Sequence, residues 1–101
     1  MISKLAVPGP IEDVEELRVL AWHGAPGTAF APGALIVELE THKAVVEVRA
    51  ARPGILRAIL CEPGSWEKVG NALALFSDDP DETLPGSAAA LPPWIVEFAV
   101  T

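Results

Sequence analysis

Positive charge is scarce in this chain. Seven lysines and arginines stand against fourteen acidic residues, and the formal net charge is −7. Nucleic acid is a poor partner for such a surface, because phosphate contacts need clustered Lys and Arg. An anionic membrane surface is disfavoured on the same ground. Cysteine is scarcer still. Cys61 is the only one, so no intramolecular disulfide can form, and a reducing compartment is expected. Long apolar runs are missing as well. The opening MISKLAV lacks the apolar core of a signal peptide, and nothing approaches the roughly 20 residues of a membrane span. These absences predict a soluble protein acting in the cytoplasm, or in the mitochondrial matrix if eukaryotic. Catalytic machinery is missing too, with no Ser/His/Asp set, metal-ligand cluster or phosphate loop. His23 and His42 are distant in sequence and belong to no spaced ligand set, so no metal is expected.

What the chain does contain is turns. Its 101 residues hold ten prolines and eight glycines, and half of them are apolar. That combination predicts one small all-β domain of short strands. Strands are expected at Lys4–Val7, Leu17–Trp22, Leu35–Thr41, Ala44–Ala50, Ile55–Leu60 and Ala72–Phe76. The acid gathers at Glu12–Glu16 and Asp78–Glu82, which read as solvated loops or as a surface that steers a basic partner protein.

The sequence also repeats itself. Pro26-Gly27 and Gly33 recur as Pro63-Gly64 and Gly70, a shift of 37 residues, and apolar positions follow in register. Val19 maps onto Leu56, Trp22 onto Ile59, and Leu39 onto Phe76. Matched glycines predict matched backbone, with φ > 0, and two half-domains related by a pseudo-twofold axis.

Within the stretch ELETHKAVVEVRA, residues 38–50, alternation fixes a hairpin. With His42 and Lys43 as the central turn residues, Leu39/Val46, Val37/Val48 and Leu35/Ala50 form an inward ladder. Glu40/Val45, Glu38/Glu47 and Ile36/Arg49 then face solvent. Slipping the register by one residue would bury both glutamates. The favoured two-residue turns want Gly, Asn or Asp, and this tip has none. It carries Lys43 instead, one of only three lysines with Lys4 and Lys68. An exposed amine among acidic neighbours is unsuited to Schiff-base chemistry, which needs a desolvated lysine. It suits covalent modification, since a modifying enzyme needs a protruding and fixed amine.

At this point Glu40-Thr41-His42-Lys43-Ala44 resembles the Glu-Thr-Asp-Lys-Ala motif of lipoyl domains from 2-oxo acid dehydrogenase complexes. The likeness extends over residues 2–78. Val7-Pro8-Gly9, the acidic loop at 12–16 and Val19–Trp22 match the family's first strand, loop and Trp-bearing segment. Gly54-Ile55-Leu56-Arg57-Ala58-Ile59, Gly64, Lys68-Val69 and Gly70 match its second-half signature. The resemblance implies a flattened barrel of two four-stranded antiparallel sheets with pseudo-twofold symmetry. It implies lipoate in amide linkage on Lys43, framed by Glu40, Thr41, His42 and Ala44. It further implies a non-catalytic carrier serving a 2-oxo acid or acetoin-type dehydrogenase system. The implied partners are a lipoate-attaching enzyme, a thiamine-dependent decarboxylase, an acyltransferase and a dihydrolipoyl dehydrogenase.

His42 departs from the family's aspartate. Biotin carriers resemble Ala-Met-Lys-Met at the tip, and here the only methionine is Met1. The longer glycine-cleavage H protein is disfavoured by the short chain. A biotin carrier or an unmodified interaction module are the alternatives. Domain organisation is expected as a carrier at 1–78, an Ala/Pro-rich linker at 79–93, and a tail at 94–101 that alternates like a strand. That tail either returns to its own sheet or adds a strand to a partner.

Overall fold

The matched glycines are where the two halves lock together. In the computed structural model, which describes residues 1–88 and 90–101, Gly27 and Gly64 have φ of 100° and 94°, and Gly33 and Gly70 have 87° and 93°. Gly27 N–H donates to the Leu56 carbonyl at 2.7 Å, and Gly64 N–H donates to the Val19 carbonyl at 2.7 Å. Leu56 N–H reaches Thr28 O at 2.9 Å, as Val19 N–H reaches Ser65 O at 2.9 Å. Each bond is its counterpart shifted by the repeat length, with donor and acceptor halves exchanged. The repeat read in the sequence is therefore a structural pseudo-twofold.

Nine strands follow in order: β1 (Ser3–Ala6), β2 (Glu16–Trp22), β3 (Ala29–Phe30), β4 (Leu35–Glu40), β5 (Val45–Ala50), β6 (Gly54–Ile59), β7 (Trp66–Lys68), β8 (Ala72–Ser77) and β9 (Val96–Val100). They form an antiparallel sheet of order β1-β8-β6-β3 and a second of order β7-β2-β4-β5-β9. The architecture is the expected all-β sandwich, with one strand more than the eight implied by resemblance. Between the sheets lie Leu5, Leu17, Val19, Val37, Leu39, Val46, Val48, Leu56, Leu73 and Phe76, all at most 1% exposed. Burying such side chains contributes about 1.5–3 kcal/mol each, which is what a domain this small relies on.

The hairpin keeps its register at Glu40↔Val45, Leu39↔Val46, Glu38↔Glu47 and Val37↔Val48, then slips. Leu35 pairs with Arg49 rather than Ala50, because a bulge sits between Leu35 and Val37. The expected solvent-facing Ile36 is thereby turned inward and fully buried, while Leu35 is only half-buried. An extra residue at a bulge reverses which side chain enters the core, and two adjacent aliphatics hide that reversal from a period-2 reading.

The tail belongs to the same body. Arg57 donates to the carbonyls of Asp79 at 2.8 Å and Glu82 at 2.7 Å, tying down the start of the 79–93 segment. At its end, Lys4 N–H donates to Pro92 O at 2.9 Å and Trp94 N–H donates to Lys4 O at 2.8 Å. Trp94 is 4% exposed and stacks on Phe76, with ring centroids 4.0 Å apart and planes at 15°. Gly54 lies directly beneath it, and a Cβ there would come within 2.6 Å of the Trp94 ring. From this anchor β9 runs antiparallel to β5, from Ala50↔Val96 to Val46↔Val100. β9 is thus the fifth strand of the second sheet.

Candidate functional site

Lys43 and His42 stand exposed at the end of the β4–β5 hairpin. Asp13 is the one non-glycine residue with positive φ among those described, so both tip residues keep φ negative. The primed turns that need glycine or asparagine are thus not used. Thr41 supplies what glycine would have. The residue is buried, at 7% exposed, and its hydroxyl accepts from Lys43 N–H at 3.0 Å and from Ala44 N–H at 2.9 Å. Thr41 N–H in turn donates to the Ala44 carbonyl at 2.8 Å. One side-chain oxygen satisfies both amides that the tight turn would otherwise leave unpaired, as serine and threonine do in turns. The lysine is projected from a backbone fixed on both sides.

The charged neighbours are paired. Glu40 accepts from Arg18 Nη1 at 2.9 Å, across the β2–β4 pairing. Glu38 lies 2.7 Å from His23 Nε2, and Arg49 lies 3.7 Å from Glu47. The opposed Glu38 and Glu47 are therefore drawn to separate partners, His23 and Arg49. Half-exposed pairs of this kind contribute at most about 1 kcal/mol each, so they orient the surface more than they stabilise it.

Beside the tip opens a cleft of about 630 Å³, lined by Ile11, Asp13, Val14 and Glu15 of the β1–β2 loop and Glu16 at the start of β2, with His42 and the exposed Trp66. This gives His42 a physical rationale. An aspartate at that position would add a fourth carboxylate to a cleft already holding Asp13, Glu15 and Glu16. A histidine there adds no further carboxylate to the cleft.

The structure thus brings Glu40, Thr41, His42, Lys43 and Ala44 together at one tip, as a hairpin must. Sequence reasoning missed Arg18, His23 and Trp66 around it, and gave Thr41 no role beyond framing. The threonine was the available signal, because a tip lacking glycine must satisfy its amides by a side chain. Cys61 lies away from the tip, donating to Ala72 O at 3.5 Å, and burial pushes its thiol up to about 11, so it is not a nucleophile at neutral pH.

Comparison with known proteins bears on this tip. The model of the Biotin_lipoyl family, described as "Biotin-requiring enzyme", matches residues 3–76. The dihydrolipoyllysine-residue succinyltransferase component of the 2-oxoglutarate dehydrogenase complex of Escherichia coli (strain K12) is 41% identical over 61 residues, covering 60% of this chain and 15% of that protein. The corresponding component of Cupriavidus necator is 32% identical over 89 residues, covering 88% of this chain and 21% of that protein. The acetyltransferase component 5 of the chloroplastic pyruvate dehydrogenase complex of Arabidopsis thaliana is 29% identical over 89 residues, covering 88% of this chain and 19% of that protein. The chain spans about a fifth or less of the length of these curated relatives.

Proposed function

The chain belongs to the Biotin_lipoyl family, and on that premise we propose that it is a lipoyl carrier domain whose Lys43 holds lipoate in amide linkage. The observation that carries this reading is the tip itself. Lys43 is exposed, and its backbone N–H is held at 3.0 Å by Thr41 Oγ1. An amine presented in this way fits attachment by an external enzyme, whose active site must receive it at a reproducible position. No enclosing pocket is needed for the group, because the arm works outside the domain. The bond forms when the Lys43 amine displaces the activating group from an activated lipoyl carboxyl, which leaves a neutral amide.

When attached, lipoate supplies a dithiolane that can be reductively acylated, pass on the acyl group and be reoxidised. The chain's own residues do the presenting. Glu40, fixed by Arg18, and His42, beside the acidic cleft, form the surface around the arm's base that an incoming enzyme meets. The partners that fit are a lipoate-attaching enzyme, a thiamine-dependent decarboxylase, an acyltransferase and a dihydrolipoyl dehydrogenase of a 2-oxo acid or acetoin-type system. Relatives named as components of 2-oxoglutarate and pyruvate dehydrogenase complexes support the class of system. The lone, protonated Cys61 suits a reducing compartment such as the cytoplasm. The domain itself carries out no chemistry on this reading.

The test is intact-mass measurement and peptide mapping after expression in a lipoate-replete host. One lipoyl group on Lys43, and none on the Lys43→Arg variant, is the expected result. An unmodified Lys43, or biotin in its place, overturns the proposal.

A further inference from the structure

The ninth strand lies outside the eight that the pseudo-twofold relates, and it ends the second sheet. Among the described residues no strand pairs with its outer side. Val45 and Thr101 exchange both backbone bonds, at 3.3 and 2.9 Å. Antiparallel pairing alternates along a strand, so Ala99 and Glu97 are the next residues bonded to β5. The N–H and C=O groups of Val96, Phe98 and Val100 accordingly point to the open edge. Their side chains share a face with Ala50, Val48 and Val46, the fully buried residues they oppose. Val96 packs on the core, whereas Phe98 and Val100 remain 41% and 49% exposed. The edge is apolar, hydrogen-bond-capable and free of the lysines, prolines or bulges that usually blunt one.

We propose that this edge pairs with the same edge of a second copy, joining the two five-stranded sheets into one of ten about a twofold axis at Phe98. The occupant is identified by self-complementarity. The three outward-facing residues are spaced symmetrically about Phe98. Antiparallel pairing therefore sets Phe98 on the second copy's Phe98 and Val96 on the second copy's Val100, and it satisfies every outward N–H and C=O of the strand. Charge fits the same register. Glu97 is the strand's one charged residue, and it opposes the second copy's Ala99 rather than another Glu97. Its neighbour on the other side is its own Arg49, with which it is in register. The joined faces hold the apolar pairs on one side and leave Glu97 and Arg49 on the other. Each hairpin tip lies at the Thr101 end of its own β9, so the two Lys43 side chains leave opposite ends of the joined sheet. One dimer could then present an arm to two enzymes at once.

Sedimentation over a range of concentrations reads the mass. The wild-type chain is expected to reach twice its 10.6 kDa. Phe98→Pro removes only an outward N–H, so pairing to β5 survives while the edge is blocked. That variant is expected at half the mass with an unchanged far-UV spectrum, and Phe98→Lys serves if the proline variant does not fold. A register test stands beside it. Phe98→Cys places two thiols across the axis at about 5.5 Å between Cα atoms, within disulfide reach. It should cross-link on mild oxidation at least about tenfold faster than Val96→Cys, whose partner is a valine. A monomeric wild-type chain at every concentration, a dimer indifferent to both Phe98 variants, or equal cross-linking of the two cysteine variants overturns the proposal.

Discussion

Replacing Thr41 by valine keeps the shape of the side chain and deletes only its hydroxyl, so it isolates what that oxygen does for the lysine. Two amides, Lys43 N–H at 3.0 Å and Ala44 N–H at 2.9 Å, lose their acceptor. A net loss of about 1 kcal/mol per bond is ordinary, since water replaces part of each bond at an open tip. The sum is about 2 kcal/mol, borne by the conformation of the tip. With 1.4 kcal/mol to each factor of ten, the ordered tip becomes about 30-fold rarer relative to its alternatives. If the attaching enzyme accepts only the ordered tip, kcat/KM for lipoylation of Thr41→Val falls by up to that factor. Thr41→Ser, which retains the oxygen, should recover most of the loss. The assay is the initial rate of modification followed by mass spectrometry, with thermal unfolding run in parallel. Should Thr41→Val be modified at the wild-type rate, or Thr41→Ser be as slow as valine, the hydroxyl is not what fixes the lysine.

Three further outcomes follow from other parts of the molecule. Trp94→Ala removes the ring stacked on Phe76 and should cost about 3–5 kcal/mol in urea unfolding; Gly54→Ala, whose Cβ would meet that ring at 2.6 Å, should destabilise the same site, and the two losses should not add. Cys61, with its thiol pushed up to about 11 from 9.0 by burial, should alkylate at pH 8 about a hundredfold more slowly in the folded chain than in urea. The sign follows from the direction of the shift, because a raised pKa leaves less thiolate at any pH below it. His42→Asp should lower the unfolding temperature slightly at low ionic strength and not in 1 M salt, where the Debye length is about 3 Å and the cleft's carboxylates no longer repel a new one.

The position of Lys43 was legible because an apolar ladder leaves a hairpin only one register that keeps Glu38 and Glu47 out of the core. The repeat was legible because glycine at positive φ leaves a mark that few other residues can make. Other features left weaker marks. Ile36 was assigned to solvent because a bulge adds one residue without changing composition, and Leu35-Ile36-Val37 is aliphatic throughout. Strands β3 and β7, of two and three residues, are too short to display a period. The tail alternated visibly, yet its place on β5 depends on Trp94 finding the hollow above Gly54, a long-range fit that no local pattern encodes. His23 and Arg18 became partners of Glu38 and Glu40 only when β2 was laid beside β4.

The exchanged bonds between the halves have a consequence for folding. Gly27 needs Leu56, and Gly64 needs Val19; what each half lacks is supplied by the equivalent residue of the other. Neither half can close its hydrogen bonds alone, so the domain should melt in a single step, with no half-folded state in which Lys43 is still presented. By the same token, two copies of one half carry both sides of every exchanged bond. In that sense the domain is a dimer of its own halves, joined by a covalent link, and a duplicated half is the smallest chain that would test whether the link is needed.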